Sequence, residues 1–301
     1  MKIMYLTAEG FDTPNPNNQL AMTMLDDFLS QGIDVYLVES HKKGFYADIP
    51  NCLKDRDGFT YDIIKRPVID KNNFVKRYID ELKYLWNTQK YWQKHKKDID
   101  IVLLQSNPVS IFYILLLKIL LKKPIVYSVF DVFPGSAYSI GVIKQKWIYR
   151  TLELIQRLAY RWSSVIVVPG EDMKDTIVKY GVSARKIRVI PNWYDDSSVF
   201  EIKDKDNKFF AENHIIKRPG DFIVQFAGTL GYVLDFQCII DVAKLLQDKH
   251  DIVFHIIGDG NKRDQYYKDI EQNGVTNIKV FPWQRIEIIQ DVYSGCDVCL
   301  I

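Results

Sequence analysis

Two glycine-containing turns carry the first chemical signal in this sequence. Gly228-Thr229-Leu230-Gly231 ends the apolar run Phe222–Ala227, and Gly258-Asp259-Gly260 ends Val253–Ile257. Glycine at the carboxyl end of a strand lets backbone amides approach a phosphate, and a helix starting soon after adds its positive end. Neither turn fits the dinucleotide pattern Gly-x-Gly-x-x-Gly. Tight strand-to-helix turns also take glycine for their own geometry, so each turn alone is a weak signal that reads more readily as packing.

Metal and redox chemistry are poorly supported. Asp55-Arg56-Asp57, Asp98-Ile99-Asp100 and Asp204-Lys205-Asp206 match the Asp-x-Asp pattern of metal-dependent transferases. With 38 acidic residues such matches arise by chance, and Asp98–Asp100 precedes a strand instead of ending one. No metal site is expected. Cys296-x-x-Cys299 has no second pair, and Cys299 lies in an apolar run, so both read as buried small hydrophobes. The five histidines show no ligand spacing, and His255 reads as a packed strand residue.

A third chemistry lies between Lys71 and Lys97. Eight Lys and Arg residues face only Asp80 and Glu81 there, with Tyr78, Tyr84, Trp86, Tyr91 and Trp92 interleaved. That mixture suits an anionic membrane surface, and Lys122-Lys123 after the apolar Ile111 to Leu121 extends it. The competing reading is a solvated helix with its aromatics in the core. Nucleic acid is not an expected partner, because the 301 residues carry 40 basic against 38 acidic groups.

The elements that must position these residues are legible from periodicity. Ile3–Leu6, Val35–Val38, Ile101–Leu104, Ile125–Val129, Val165–Val168 and Arg188–Ile190 are short apolar runs, as in a parallel sheet covered on both faces. Helical spacing separates them at Leu20–Ser30, Phe74–His95 and Trp147–Tyr160. A second series has strands at Phe222–Ala227, Val253–Ile257, Ile278–Phe281 and Val298–Ile301. Helical segments Phe236–Asp248, Arg263–Asn273 and Glu287–Ser294 alternate with them. The expected architecture is α/β, with two Rossmann-like domains facing across a cleft. The N-terminal Rossmann-like domain spans 1–200, a polar linker 201–220, and a partial C-terminal Rossmann-like domain 221–301. The final strand at Val298–Ile301 reads as the edge of a domain cut short. Apolar stretches are too short for a signal peptide or a spanning helix. The expected address is the cytoplasm, with peripheral attachment at the inner face of the cytoplasmic membrane.

From Val165 the chain reads VIVVPGEDMKDTIVKYGVSARKIRVIPNWYD. This stretch resembles family 4 glycosyltransferases of GT-B architecture, whose first domain closes on a similar "KI-V-IPN-x-x-D" pattern. Gly228-Thr229-Leu230-Gly231, Ile256-Ile257-Gly258-Asp259-Gly260 and Cys296-Asp297-Val298 fall in the family's order, and Asp131-Val132-Phe133-Pro134-Gly135-Ser136 resembles its "D-x-x-P-x-S" stretch. Trp193 in "PNW" looks most like bacterial transferases of O-antigen, capsule and exopolysaccharide assembly.

The resemblance implies a retaining glycosyltransferase that needs no metal or other cofactor. It would move sugar from a nucleotide-sugar donor to a glycan acceptor, commonly lipid-linked. Carried over by position, Asp131 is the catalytic candidate, facing the transferred sugar or acceptor. Gly228, Thr229, Gly231, Gly258, Asp259 and Gly260 would line the donor, and Phe281, Trp283 and Gln284 belong to the loop beside the base. Glu9 and Gly10 stand in the acceptor loop, and Asn192 and Asp195 shape the hinge. Several positions depart from the pattern. Phe130 stands where many relatives carry His, Thr229 where they carry Arg or Asn, and Leu234 where they carry Lys or Gln. The family's Glu-x7-Glu region would follow the last strand. The alternative is a truncated or degenerate GT-B protein that binds a nucleotide sugar or a partner transferase without turnover. A sugar-nucleotide epimerase is disfavoured by the "IPNWYD" stretch.

Overall fold

A computed structural model of the protein describes residues 1–7, 10–11, 16–41, 49–65, 74–106, 109–193, 200–232 and 234–301, without the side chains at 16, 41, 74, 75, 77 and 78. The expectations for Glu9, Asp195 and Lys71, and for the side chains of Arg77 and Tyr78, lie outside the described residues. The chain forms two compact units, Met1–Tyr194 and Asp195–Ile301.

The first unit is a seven-stranded parallel sheet in the order β3-β2-β1-β4-β5-β6-β7. Its strands are β1 (Lys2–Leu6), β2 (Asp34–His41), β3 (Phe59–Lys65), β4 (Ile101–Gln105), β5 (Ile125–Ser128), β6 (Val165–Val168) and β7 (Ile187–Val189). Its helices are α1 (Pro16–Ser30), α2 (Asn51–Lys54), α3 (Phe74–Trp92), α4 (Ser110–Leu120), α5 (Gly135–Ser139), α6 (Lys146–Trp162) and α7 (Glu171–Lys179). Alternate strand residues supply two cores, as a sheet covered on both faces requires. Tyr5, Val35 and Leu37 pack with Ala21 and Leu25 of α1 and Leu53 of α2. Met4, Tyr36, Val102 and Ile166 pack with Tyr84 of α3, Ile114 of α4, Tyr160 of α6 and Ile177 of α7.

The second unit is a four-stranded parallel sheet in the order β10-β9-β8-β11. It comprises α8 (Lys208–Glu212), β8 (Phe222–Thr229), α9 (Phe236–Leu245), β9 (Ile252–Asp259), α10 (Arg263–Asn273), β10 (Ile278–Phe281), α11 (Ile289–Ser294) and β11 (Val298–Leu300). Asp235 caps α9 by accepting the Cys238 N–H at 3.2 Å.

The segment 201–220 is no linker but part of the second unit. Asn207 is the reason. Its Oδ1 accepts the Phe210 N–H at 3.0 Å and caps α8, while its Nδ2 donates to the Asp291 carbonyl at 2.7 Å. Phe209 and Phe210 are thereby driven into a core with Ile223, Ile257, Phe281 and Val292. Cys299 is exposed and Cys296 half-buried, against the expectation that both are buried, because β11 is an edge strand paired only with β8.

Candidate functional site

In a doubly wound sheet, ligands bind beyond the carboxyl ends of the strands, where the strand order reverses. In the second unit that point lies between β8 and β11, and β9 flanks β8 on its other side. The pairing of β8 with β9 runs to its end through Gly228 opposite Gly258 and Thr229 opposite Asp259. Trp283 follows β10. The carboxyl ends of β8, β9 and β10 span two strand spacings, about 10 Å.

The glycines there answer first to the fold. Gly258 has φ +148°, and a Cβ on it would stand 1.9 Å from the Gly228 carbonyl oxygen. A Cβ on Gly260 would stand 2.3 Å from the Leu230 carbonyl oxygen. Both positions take glycine because two backbones lie against each other. The backbone amides nearby are also engaged. The Leu230 N–H donates to the Asp259 carbonyl at 3.0 Å, and the Gly231 N–H to the Thr229 carbonyl at 3.0 Å. The Gly260 N–H donates to Asp259 Oδ1 at 2.8 Å. The amides of Leu230, Gly231 and Gly260 are thus hydrogen-bonded within the protein itself.

Several side chains, by contrast, stand open at this edge. Thr229 and Asp259 are exposed, and Gly231 is half-buried with only Thr229 Cγ2 nearby, at 3.6 Å from a built Cβ. Lys262 Nζ lies 5.0 Å from the centre of the Tyr232 ring, and the Arg263 guanidinium 5.5 Å from that of Tyr267. Arg263 Nη1 is also 3.8 Å from Asp259 Oδ1. The Tyr266 hydroxyl donates to the Gly231 carbonyl at 2.6 Å and its ring stacks on Phe236 at 4.1 Å, tying the loop after β8 to α10. Lys262 and Arg263 were not singled out from the sequence. The available signal was two cations one residue past Gly258-Asp259-Gly260, at the start of a helix.

The base-loop candidates divide. Trp283 is exposed and offers a ring face, while Gln284 Nε2 donates to the Pro282 carbonyl at 2.8 Å. Phe281 is buried, edge-on to His255 and Phe209 at 5.0 and 5.3 Å. His255 is itself buried as the sequence predicts, and burial together with the charges of Lys279 and Lys217 lowers its pKa to about 4.

In the first unit Asp131 is exposed just past β5. The Phe130 N–H donates to Ser106 Oγ at 2.9 Å, which fixes the turn against the end of β4. Asp131 borders an open depression with Ser136, Ser139, Met173, Thr176 and Tyr180. Beneath it Tyr127 and Tyr160 are buried, and the Tyr127 hydroxyl shares a 2.6 Å hydrogen bond with Ser110 Oγ. Burial raises the Tyr127 pKa to about 12, the nearby Asp131 charge adding to the rise.

Gly10 is buried, with its carbonyl accepting from Asn18 Nδ2 at 2.9 Å. The next residue, Phe11, donates its N–H to Glu39 Oε2 at 3.1 Å. Glu39 is fully buried near the carboxyl end of β2, and sequence reasoning missed it. The signal was an acid inside the apolar run Val35–Val38 extended to His41. Asn192 is exposed beyond β7, and the neighbouring Trp193 Nε1 donates to the Leu20 carbonyl at 3.1 Å. Among the described residues no group of three or more His, Cys, Asp or Glu side chains could hold a metal ion.

The profile described as Glycosyltransferase Family 4 matches residues 19–198. The chain is similar to the probable glycosyltransferase WbjE of Pseudomonas aeruginosa, at 27% identity over 67% of this chain and 50% of that protein. It is also similar to the colanic acid biosynthesis glycosyl transferase WcaI, described as putative, of Escherichia coli K12, at 24% identity over 44% of this chain and 32% of that one. The chain thus spans half the length, or less, of these relatives. Anabaena HepE, solved in complex with UDP and glucose, superposes with TM-score 0.69 at 15% identity, covering 99% of this chain and 73% of HepE. Sucrose-phosphate synthase of Thermosynechococcus elongatus superposes with TM-score 0.73 at 9% identity, covering 99% and 74%. These likenesses establish the shared GT-B fold.

Proposed function

The chain belongs to glycosyltransferase family 4, and from that premise we propose that it moves a sugar from a nucleotide-sugar donor to a glycan acceptor in bacterial surface-polysaccharide assembly. One observation carries the donor half of this reading. Thr229, Asp259, Lys262, Arg263 and Trp283 gather beyond three adjacent strands of one sheet. The two cations suit a diphosphate, and the exposed Trp283 ring suits a base. A diphosphate so neutralised needs no divalent cation, and the transfer runs without a cofactor. The transfer proposed is one with retention of anomeric configuration. A transition state with oxocarbenium character is helped by a nearby carboxylate, and Asp131 is assigned that place, facing the transferred sugar or acceptor. The acceptor is lipid-linked and is met at the inner face of the cytoplasmic membrane.

HepE binds UDP, which makes UDP the first nucleotide to try. The test is a thermal-shift panel of the chain with UDP, GDP and their sugar conjugates. A ligand at a hundred times its dissociation constant adds about 2.7 kcal/mol of stability. A shift with one base and its conjugates is the expected result. No shift with any nucleotide would overturn the donor assignment at this sheet edge. Binding without release of nucleotide in the presence of acceptor would instead favour the binding-only alternative.

A further inference from the structure

The helix layer over one face of the first sheet carries exposed apolar side chains, and the two acids of α3 are buried, Asp80 within 3.8 Å of Lys83. α4 is the clearest case. Its inner face, Ile111, Ile114 and Leu117, is buried in the core. Phe112 and Leu116 pack partly buried against the same core, and Leu115, half-buried, and Ile119, 58% exposed, stand outside it beside the exposed Lys118. A surface helix ordinarily carries polar residues there. The helices beside it continue the pattern. α6 packs on α4, and Lys96 Nζ, just after α3, donates to the Leu120 carbonyl at the end of α4 at 2.6 Å. The outer row of α3 carries Ile79, Leu82 and Trp86, and that of α6 carries Trp147, Leu154 and Leu158. Trp86 and Trp147 are each 69% exposed and Leu154 65%.

Charge on this layer is one-sided. Residues 74–162 hold fifteen Lys and Arg against six Asp and Glu, while the rest of the chain holds twenty-five against thirty-two. Asp80 and Glu81 of α3 are buried, and Glu153 of α6 pairs with Arg157 at 3.0 Å. Lys83, Lys90, Lys118, Arg150 and Arg161 stay exposed among the apolar side chains.

We infer that this face, formed by α3, α4 and α6 together, docks on an anionic lipid surface. Tryptophan rings and aliphatic side chains enter the headgroup region, while Lys and Arg stems reach its phosphates. A nucleic acid would not reward the Trp, Leu and Ile rows. A two-fold contact with a second copy would set the cations against one another. The inference deepens the membrane part of the proposed function, on which its purpose rests. It adds α6 and the outer row of α4 to the basic segment read from the sequence.

The test is co-sedimentation of the chain with vesicles of phosphatidylcholine alone and with phosphatidylglycerol added, at low and high salt. Acceptor and donor are both left out, so failure of transfer and failure of docking are read separately. Binding should favour the anionic vesicles by about tenfold or more and weaken with salt. Lys83→Gln and Arg150→Gln should each reduce it about fivefold, the equivalent of about 1 kcal/mol per cation. Trp86→Gln, Trp147→Gln and Leu154→Gln combined should reduce it at least tenfold while the melting temperature stays unchanged. Equal binding to both vesicle types, no binding to either, or an unaffected triple variant would overturn the inference. So would self-association that the triple variant abolishes, since the occupant would then be a second copy.

Discussion

The two sheets share a strand order around their reversal points and differ in what stands there. β3-β2-β1-β4 and β10-β9-β8-β11 are the same arrangement, one in each unit. Along the first sheet, the carboxyl ends hold a buried acid, Glu39 on β2, and an exposed one, Asp131, past the neighbouring strand β5. Along the second, glycines let β8 and β9 run together to their tips, and cations follow at Lys262 and Arg263. Topology decides where a ligand can lie, and residue chemistry decides which ligand. An acid edge suits a sugar carbon gaining positive charge or a hydroxyl losing its proton. A cationic edge suits a diphosphate.

The largest effect that separates the two edges is on turnover. Asp131→Asn should lower the transfer rate by about a thousandfold, or about 4 kcal/mol of transition-state stabilisation. Nucleotide binding in the second unit should be unchanged, as read by the thermal shift with UDP. A variant that loses both would show that the two edges do not divide the chemistry as described. Gly258→Ala should do the converse. Its Cβ would overlap the Gly228 carbonyl oxygen at 1.9 Å, from a φ of +148° that side chains rarely adopt. About 3 kcal/mol or more of the second unit's stability should go, and the nucleotide shift with it. Wild-type melting and binding in this variant would mean that β8 and β9 are not held as closely as their register requires.

Acid should also act unequally on the two units. His255 is the only histidine among the buried described residues, and its pKa is lowered to about 4. The unfolded chain then binds the proton more readily than the folded one. Stability from the neutral imidazole is complete above about pH 6.5 and is lost as pH falls toward 4, by up to about 3 kcal/mol. His255→Gln should flatten that part of the pH–stability curve. Parallel curves for the two proteins would show that His255 is not the titrating group.

Which parts of this division the sequence disclosed follows from local physics. The central strands of the first sheet are apolar throughout because both faces are covered, so β4, β5 and β6 stood out. β3 did not, because it is an edge strand, and Thr60, Tyr61 and Lys65 are exposed. The stretch 201–220 looked like a linker because its charges dominate, while Phe209 and Phe210 are buried through the Asn207 cap, which composition does not reveal. At the candidate site, Gly258 and Gly260 were conspicuous by type, yet their tight fit against Gly228 and Leu230 depends on strand register. Glu39 and Lys262 left only faint signals, an acid at the end of an apolar run and a cation after a glycine turn, for a related reason. Their roles come from which loop end folds back beside them, and spacing in the chain does not encode that.

The smallest effect sharpens the comparison most. Lys262 and Arg263 differ in what holds them. Arg263 lies 3.8 Å from the Asp259 carboxylate, while the Lys262 ammonium stands over the Tyr232 ring. A diphosphate must compete with Asp259 for Arg263 but meets Lys262 against a neutral face. Lys262→Gln should therefore lower nucleotide affinity by about fivefold, or about 1 kcal/mol, and reduce its salt dependence. Arg263→Gln should cost less, because Asp259 already offsets part of the guanidinium charge. Affinity measured by titration calorimetry at two ionic strengths would rank them. The reverse ranking would place the phosphates over the Asp259 side of the edge and the base nearer Tyr232. Equal and negligible effects would remove the cations from the donor site and return the glycine turns to a purely structural role.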